Sequence, residues 1–251
     1  MEKVKKALNH VFIDGLSGMA LGLFATLIIG TIIQQIGNLI GGTVGDTLYL
    51  FGKAASVMTS AGIGVGVAYK FKEPVYVTLS AATAGMIGGY ASKILAGTLI
   101  GEGGVVVLAG PGEPLGAFIA AIVGIELGHL VAGRTKIDLL VTPFVTIVTG
   151  SAVGLLVGPP ITRFMTGLGA IINWGTEQQP FLMGIVVSVL MGMILTLPIS
   201  SAALGIILNL SGLAAGAAVV GCCCNMVGFA VASLRENRVG GLLAQGLGTS
   251  M

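Results

Sequence analysis

Few residues in this chain are equipped for chemistry, and each of them sits in apolar surroundings. Glu126 and His129, in Gly124-Ile-Glu126-Leu-Gly-His129, are three positions apart in a run that reads as helix. Their side chains therefore share a face and can meet. An imidazole beside a carboxylate can hold or pass a proton near neutral pH, and the two can equally grip hydroxyl groups as donor and acceptor. The plainer alternative places both near a helix end, reaching water, with Arg134 and Lys136 as ion partners. Glu113 lies between Gly112 and Pro114, where the chain cannot be regular helix. Its carboxylate is either held by a rigid turn facing a solute or is a negative charge favourably placed at a helix start. Asn209 and Asn225, with Ser200, Ser201 and Ser211, interrupt a long apolar tract; they line a hydroxyl-rich ligand or join helices by hydrogen bonds.

Other motifs point away from chemistry. Cys222, Cys223 and Cys224 are consecutive in an apolar run, with no metal-ligand spacing around them, and nothing nearby supplies the positive field that activates a thiol. There is no P-loop, no dinucleotide fingerprint after a strand and no HExxH helix. No catalytic residue, metal or cofactor is expected. Lys53 and Lys93 fall inside apolar runs and read as paired or snorkelling charges. Asp14 caps the first run or joins the site, and His10 reads as an interface residue.

The elements that must position these groups follow from composition. Of 251 residues, 55% are hydrophobic and 9% are charged, against about 25% charged in an ordinary soluble domain. Forty-two glycines suit helices packed through small side chains in lipid, as in Gly18-x-x-x-Gly22. The chain reads as an all-α, polytopic integral membrane protein. A net charge of +2 without a basic stripe excludes a nucleic-acid partner. Residues 15–33, 48–68, 75–100, 115–132, 139–158 and 181–197 are the six expected full transmembrane helices. The first is too long for a signal-peptide core and is read as retained.

Basic residues collect on the cytoplasmic side of membranes. Lys3, Lys5 and Lys6 inside, followed by Lys70 and Lys72, Arg134 and Lys136, and Arg235 and Arg238, fix a cytoplasmic N-terminus. That count requires the tract 198–234 to begin and end on one side, as a re-entrant hairpin or two short half-spans for which Gly212, Gly216, Gly221 and Asn225 allow a turn; a single long tilted helix would instead put Arg235 and Arg238 outside. Irregular backbone at membrane depth lines a cavity or is buried in protein, so such a tract marks a pathway. Residues 101–114, Gly-rich yet apolar, are a second candidate re-entrant segment. Residues 161–179, with Trp174, read as a helix in the interface plane or as an external loop. A short echo of Ser17–Gly22 at Ser200–Gly205 hints at an internal repeat. The expected organisation is one membrane domain over residues 1–251.

Three segments, Gly-Pro-Gly-Glu113-Pro-Leu-Gly, Gly-Ile-Glu126-Leu-Gly-His129-Leu-Val-Ala-Gly-Arg-Thr-Lys-Ile-Asp138 and Leu-Pro198-Ile-Ser-Ser-Ala-Ala, carry a resemblance over essentially the whole chain. The sequence resembles the EIIC-type permeases of the phosphotransferase system, in the branch that includes putative toxin-regulator membrane proteins. The resemblance implies a homodimer in the plasma (inner) membrane of a bacterium. It implies a carbohydrate site built from hairpins and broken helices, and cytoplasmic phosphocarrier proteins as partners. Glu113 would contact the sugar near the hydroxyl to be phosphorylated, with His129 assisting. The Glu-Pro element comes earlier here than in the sugar permeases, and Gly246-Leu-Gly-Thr-Ser-Met251 reads as the middle of a motif, so further C-terminal spans are expected. The function expected is a permease for a small polar solute, a carbohydrate by the resemblance. Its competitors are a membrane sensor or regulator on the same scaffold and a proton-coupled transporter of a small anion. The expected substrate-binding residues are Glu113, Glu126, His129, Asn209 and Asn225.

Overall fold

The computed structural model describes residues 9–101, 104–108, 110–195, 205 and 208–248. The chain divides into two compact units, Met1–Arg163 and Phe164–Met251. Each is all helix among its described residues, apart from one isolated bridge between Ile100 and Val106.

In the first unit, α1 runs over His10–Ile40, with π-helical turns at His10–Gly15 and Phe24–Ile28. Gly41 and Gly42, at φ +66° and +63°, reverse the chain into α2 (Gly42–Val57). These are conformations that glycine adopts without penalty. Then α3 (Thr59–Lys70) follows α2 across a 54° bend at Met58. Lys72, at φ +58°, and Pro74 turn the chain into α4 (Val75–Gly89). A break at Tyr90 separates the five-residue α5 (Ala91–Leu95). Next comes α6 (Pro114–Val131), started by a proline whose fixed φ suits the first helical turn. Last, α7 is Asp138–Gln178; its residues after Arg163 belong to the second unit. Asp138 anchors the α6–α7 turn, accepting from the Gly133 N–H at 2.9 Å and the Thr142 hydroxyl at 2.6 Å.

Small residues let these helices approach backbone to backbone. A Cβ added at Gly18 of α1 would lie 2.6 Å from the Gly66 carbonyl oxygen of α3, and one at Gly22 would strike the Gly62 carbonyl. Gly88 of α4 and Gly116 of α6 each face the other's carbonyl at 2.6 Å in the same sense. The buried core is accordingly fine-grained: Ala81, Ala84, Ala117, Ala120 and Ala121 around Ile63, Val67, Val77 and Ile125. Large side chains such as Phe51, Leu79, Leu140 and Phe144 point outward, as in a protein whose surface meets hydrocarbon rather than water.

In the second unit, α8 (Pro180–Ile194) packs on α9 (Gly212–Gly248) around Val187, Met191 and Ala218. The backbone of α9 is broken at Arg238, which has φ +53°.

Among the described residues, four helices are long and apolar enough to cross a membrane: His10–Ile40, Pro114–Val131, Asp138–Pro160 and Gly212–Leu242. A fifth forms if α2 and α3 act as one bent span, and Val75–Gly89 and Pro180–Ile194 are shorter apolar helices. This is a multi-pass, all-α membrane protein, with some expected spans shortened. The run 75–100 stops as regular helix at Gly89, and the run 48–68 is bent in its middle. In the described part of the tract 198–234, Gly216, Gly221 and Asn225 lie inside α9, while Asn209, at φ +50°, and Gly212, at φ +52°, turn the chain into it. An alanine-rich stretch packed on α8 favours continuous helix there. Residues 161–178 are helical and continue α7. Pro198, Ser200 and Ser201, the second half of the internal echo apart from Gly205, Glu102 and Lys3, Lys5 and Lys6 lie outside the described residues.

Candidate functional site

Glu113 stands where three interrupted stretches of backbone meet. It is the residue before Pro114, extended at φ −96°, ψ 109°, so its carbonyl accepts the first helical bond, from Ala117 N–H at 3.0 Å. Its own N–H donates to the Gly89 carbonyl at the end of α4, at 2.6 Å. Its carboxylate Oε2 accepts from the Ser92 hydroxyl of α5 at 3.1 Å. Two rungs hold the preceding turn. Ser60 of α3, fully buried two residues after the Met58 bend, donates to Pro111 O at 2.8 Å. The Tyr90 hydroxyl donates to Gly110 O. The Lys93 ammonium lies 5.3 Å from the centre of the Tyr90 ring, within cation–π range. Gly112 has φ +75°, and a Cβ there would strike Ser60 Oγ and lie 3.0 Å from Gly89 O.

This arrangement suits recognition of a neutral polar molecule. A half-buried carboxylate at a helix N-terminus is stabilised by the helix dipole. It accepts hydrogen bonds from hydroxyl donors, and the α4–α5 break brings backbone polar groups close to it. A polar column continues away from this point: Thr59 Oγ1 donates to Ser56 O at 2.6 Å, and Gln34 Nε2 reaches Ser56 Oγ at 2.9 Å.

Glu126 and His129 occupy the other end of α6. Thirteen residues of helix separate Glu113 from Glu126, about 20 Å at ~1.5 Å per residue. Helix geometry thus places Glu113 at one end of α6 and Glu126 with His129 toward the other. Nor do Glu126 and His129 take Arg134 and Lys136 as partners. Glu126 Oε1 meets His10 Nε2 at 3.2 Å, and Asp14 Oδ2 lies 3.7 Å from His10 Nδ1. His129 Nδ1 meets Glu73 Oε2 at 2.9 Å. Phe71 stacks on the His10 ring at 3.8 Å. The start of α1, the α3–α4 turn and the end of α6 are thus tied by one polar cluster.

The two asparagines belong to the second unit. Asn225 Nδ2 donates to the Gly192 carbonyl of α8, beside the Ser188 hydroxyl donating to Ala217 O at 2.6 Å. Asn209, at φ +50°, sits in the turn before α9. There the Asn173 amide brackets the chain, donating to Asn209 O and accepting from Ser211 N–H, both at 3.1 Å. The Asn225 amide thus bonds α9 to α8, whereas Asn209 takes part through its main-chain carbonyl. Cys222 is half-buried against Met191 O, and Cys223 and Cys224 are exposed. Among the described residues no group of three metal-binding side chains converges.

A family model described as "Phosphotransferase system, EIIC" matches residues 13–251. The chain belongs to the EIIC family of the phosphotransferase system. It is a membrane permease component of that system, and the segment carrying Glu113 falls inside the match. Neither the curated proteins nor the solved structures gave a match to this EIIC chain.

The sequence singles out Glu113 as a candidate in this EIIC protein but not the groups that hold it. Ser60, Tyr90 and Ser92 lie in segments whose apolar pattern gives no hint that their hydroxyls converge on residues 110–113. The one local signal is the pair of glycines, Gly88 and Gly89, just before Tyr90. Glu73, the His129 partner, was missed because it sits in a turn that reads as solvated.

Proposed function

We propose that this EIIC chain binds a carbohydrate at the Glu113 turn and carries it across the plasma membrane. In this reading cytoplasmic phosphocarrier proteins phosphorylate the sugar, and the chain works as a homodimer with its N-terminus in the cytoplasm. The observation that carries the reading is Glu113 at a junction of broken helices, its N–H donating to Gly89 O and its carboxylate accepting from Ser92. Backbone that leaves helical geometry within a membrane is tolerated where it lines a cavity, and a carboxylate among hydroxyls matches the donor-rich rim of a sugar. Family membership supports a solute handled by the phosphotransferase system.

On this reading Glu113 contacts the solute. Glu126 and His129 serve a separate cluster at the opposite end of α6, and Asn209 and Asn225 hold the second unit together. The test is counterflow in proteoliposomes preloaded with unlabelled sugar, using a tritiated panel of hexoses, hexitols, pentitols and N-acetylhexosamines. Uptake of at least one panel member by the parent, and its loss in Glu113→Gln, is expected. Binding without counterflow would instead make the protein a sensor, and counterflow untouched by Glu113→Gln would remove the site.

A further inference from the structure

We infer that Ser92 is the positioning residue of the Glu113 site: by holding Oε2 it leaves Oε1 as the single carboxylate oxygen offered to a solute hydroxyl. This deepens, and rests on, the carbohydrate reading above.

The geometry fixes Glu113 at three points. Pro114 sets the following φ, the Glu113 N–H is committed to Gly89 O at 2.6 Å, and Oε2 accepts from Ser92 Oγ at 3.1 Å. A glutamate normally has three rotatable side-chain bonds and two equivalent oxygens. Here one oxygen is engaged, and the hydroxyl that engages it is itself located by the backbone. Ser92 lies on α5, a five-residue helix set off from α4 at Tyr90, and the Tyr90 hydroxyl ties that break to Gly110 O. The segment Gly89–Ser92 and the turn Gly110–Glu113 are therefore joined by three hydrogen bonds, from Glu113 N–H to Gly89 O, from Tyr90 to Gly110 O and from Ser92 to the Glu113 carboxylate, of which only the last involves α5. Among the described residues Oε1 has no partner.

A hydroxyl donor on one oxygen and an open lone pair on the other define what fits. The solute must donate, so a neutral polyol fits and an anion is repelled. Because Ser92 fixes the plane of the carboxylate, it also selects which solute hydroxyl meets Oε1.

The experiment is counterflow with the same tritiated sugar panel, comparing the parent with Ser92→Ala, Ser92→Thr, Ser92→Cys and Glu113→Gln. For a panel member that the parent moves, Ser92→Ala is expected to raise the half-saturation concentration about tenfold to a hundredfold, the loss of one hydrogen bond to a charged group. Its maximal rate stays within about twofold of the parent, since transport geometry is intact. Ser92→Thr, which keeps the hydroxyl, restores parental affinity, and Ser92→Cys, a weak donor, falls between. A variant that merely loosened the fold would lower the maximal rate and would not be rescued by hydroxyl chemistry. If Ser92→Ala yields no folded protein, the Thr and Cys variants decide. Equal affinities for Ser92→Thr, Ser92→Cys and the parent, or parental affinity in Ser92→Ala, overturn the role of Ser92 while Glu113→Gln still abolishes counterflow. Parental counterflow in Glu113→Gln, or no panel member moved, overturns the carbohydrate reading and this inference together.

Discussion

Replacing Gly112 by alanine is the most direct test of how the Glu113 turn is built. Two costs add at this position. The residue has φ +75°, and a side chain in the left-handed region costs about 1–2 kcal/mol. The new Cβ would also strike Ser60 Oγ and lie 3.0 Å from Gly89 O, and overpacking of a tight interior costs about 1–3 kcal/mol. The combined loss of roughly 3 kcal/mol corresponds to a drop of about 6–12 °C in apparent Tm for a unit of this size. Ser60→Ala alone leaves the Pro111 carbonyl without its donor, at a cost of about 1–3 kcal/mol. In the double variant the clash with Oγ is gone, while the strain at φ +75° and the contact with Gly89 O remain. The two substitutions should therefore be less than additive, with a coupling of about 1 kcal/mol. Thermal unfolding of the four proteins in detergent, followed by fluorescence-detected size exclusion, measures this cycle. An unchanged Tm in Gly112→Ala, or strictly additive losses in the double variant, would refute the packing of Ser60 between Gly89 and Gly112.

Three further outcomes are expected. On a cysteine-free background, Glu113→Cys and His129→Cys should react with a membrane-impermeant maleimide from opposite sides of oriented vesicles; labelling from one side would mean that α6 does not cross. Gly22→Val should lower the Tm more than Gly228→Val, because only the former drives a side chain into the facing Gly62 backbone, whereas Gly228 has open space; similar shifts would contradict the α1–α3 contact. Asn225→Ala should cost about 1 kcal/mol, the scale of an interhelical bond in a membrane, and leave counterflow affinity at the parental value; a changed affinity would return Asn225 to the solute site.

The fold class and the position of Glu113 were legible in the sequence because they rest on coarse signals, namely long apolar runs and a Gly-Glu-Pro turn. The bends were not. At Met58 there is neither proline nor charge; the hydroxyls of Ser56 and Thr59 bond to Gly52 O and Ser56 O around the bend, a local competition with helix that apolar periodicity does not register. Glu126 and His129 looked like a pair because helix spacing puts them on one face. Each instead found a partner on another segment, His10 and Glu73, which only the tertiary fold brings near. The asparagines were legible as polar interruptions, but whether an amide faces a solute or a neighbouring carbonyl depends on the register of α8 against α9.

The inner side of α6 is nearly featureless. Gly116, Ala117, Ala120, Ala121, Gly124 and Gly128 are all buried, with Phe118 and Ile125 the larger side chains among them. Such a surface lets neighbouring backbones seat closely, as Gly116 does against Gly88 and Gly124 against Thr146. The helix is fastened in addition at its two ends, by the Gly89 and Ser92 bonds to Glu113 and by the His10 and Glu73 bonds to Glu126 and His129. Polar fastenings can be exchanged for others at small net cost, whereas interlocked side chains must be pulled apart. Any shift of α6 along its axis would strain the bonds at both ends at once.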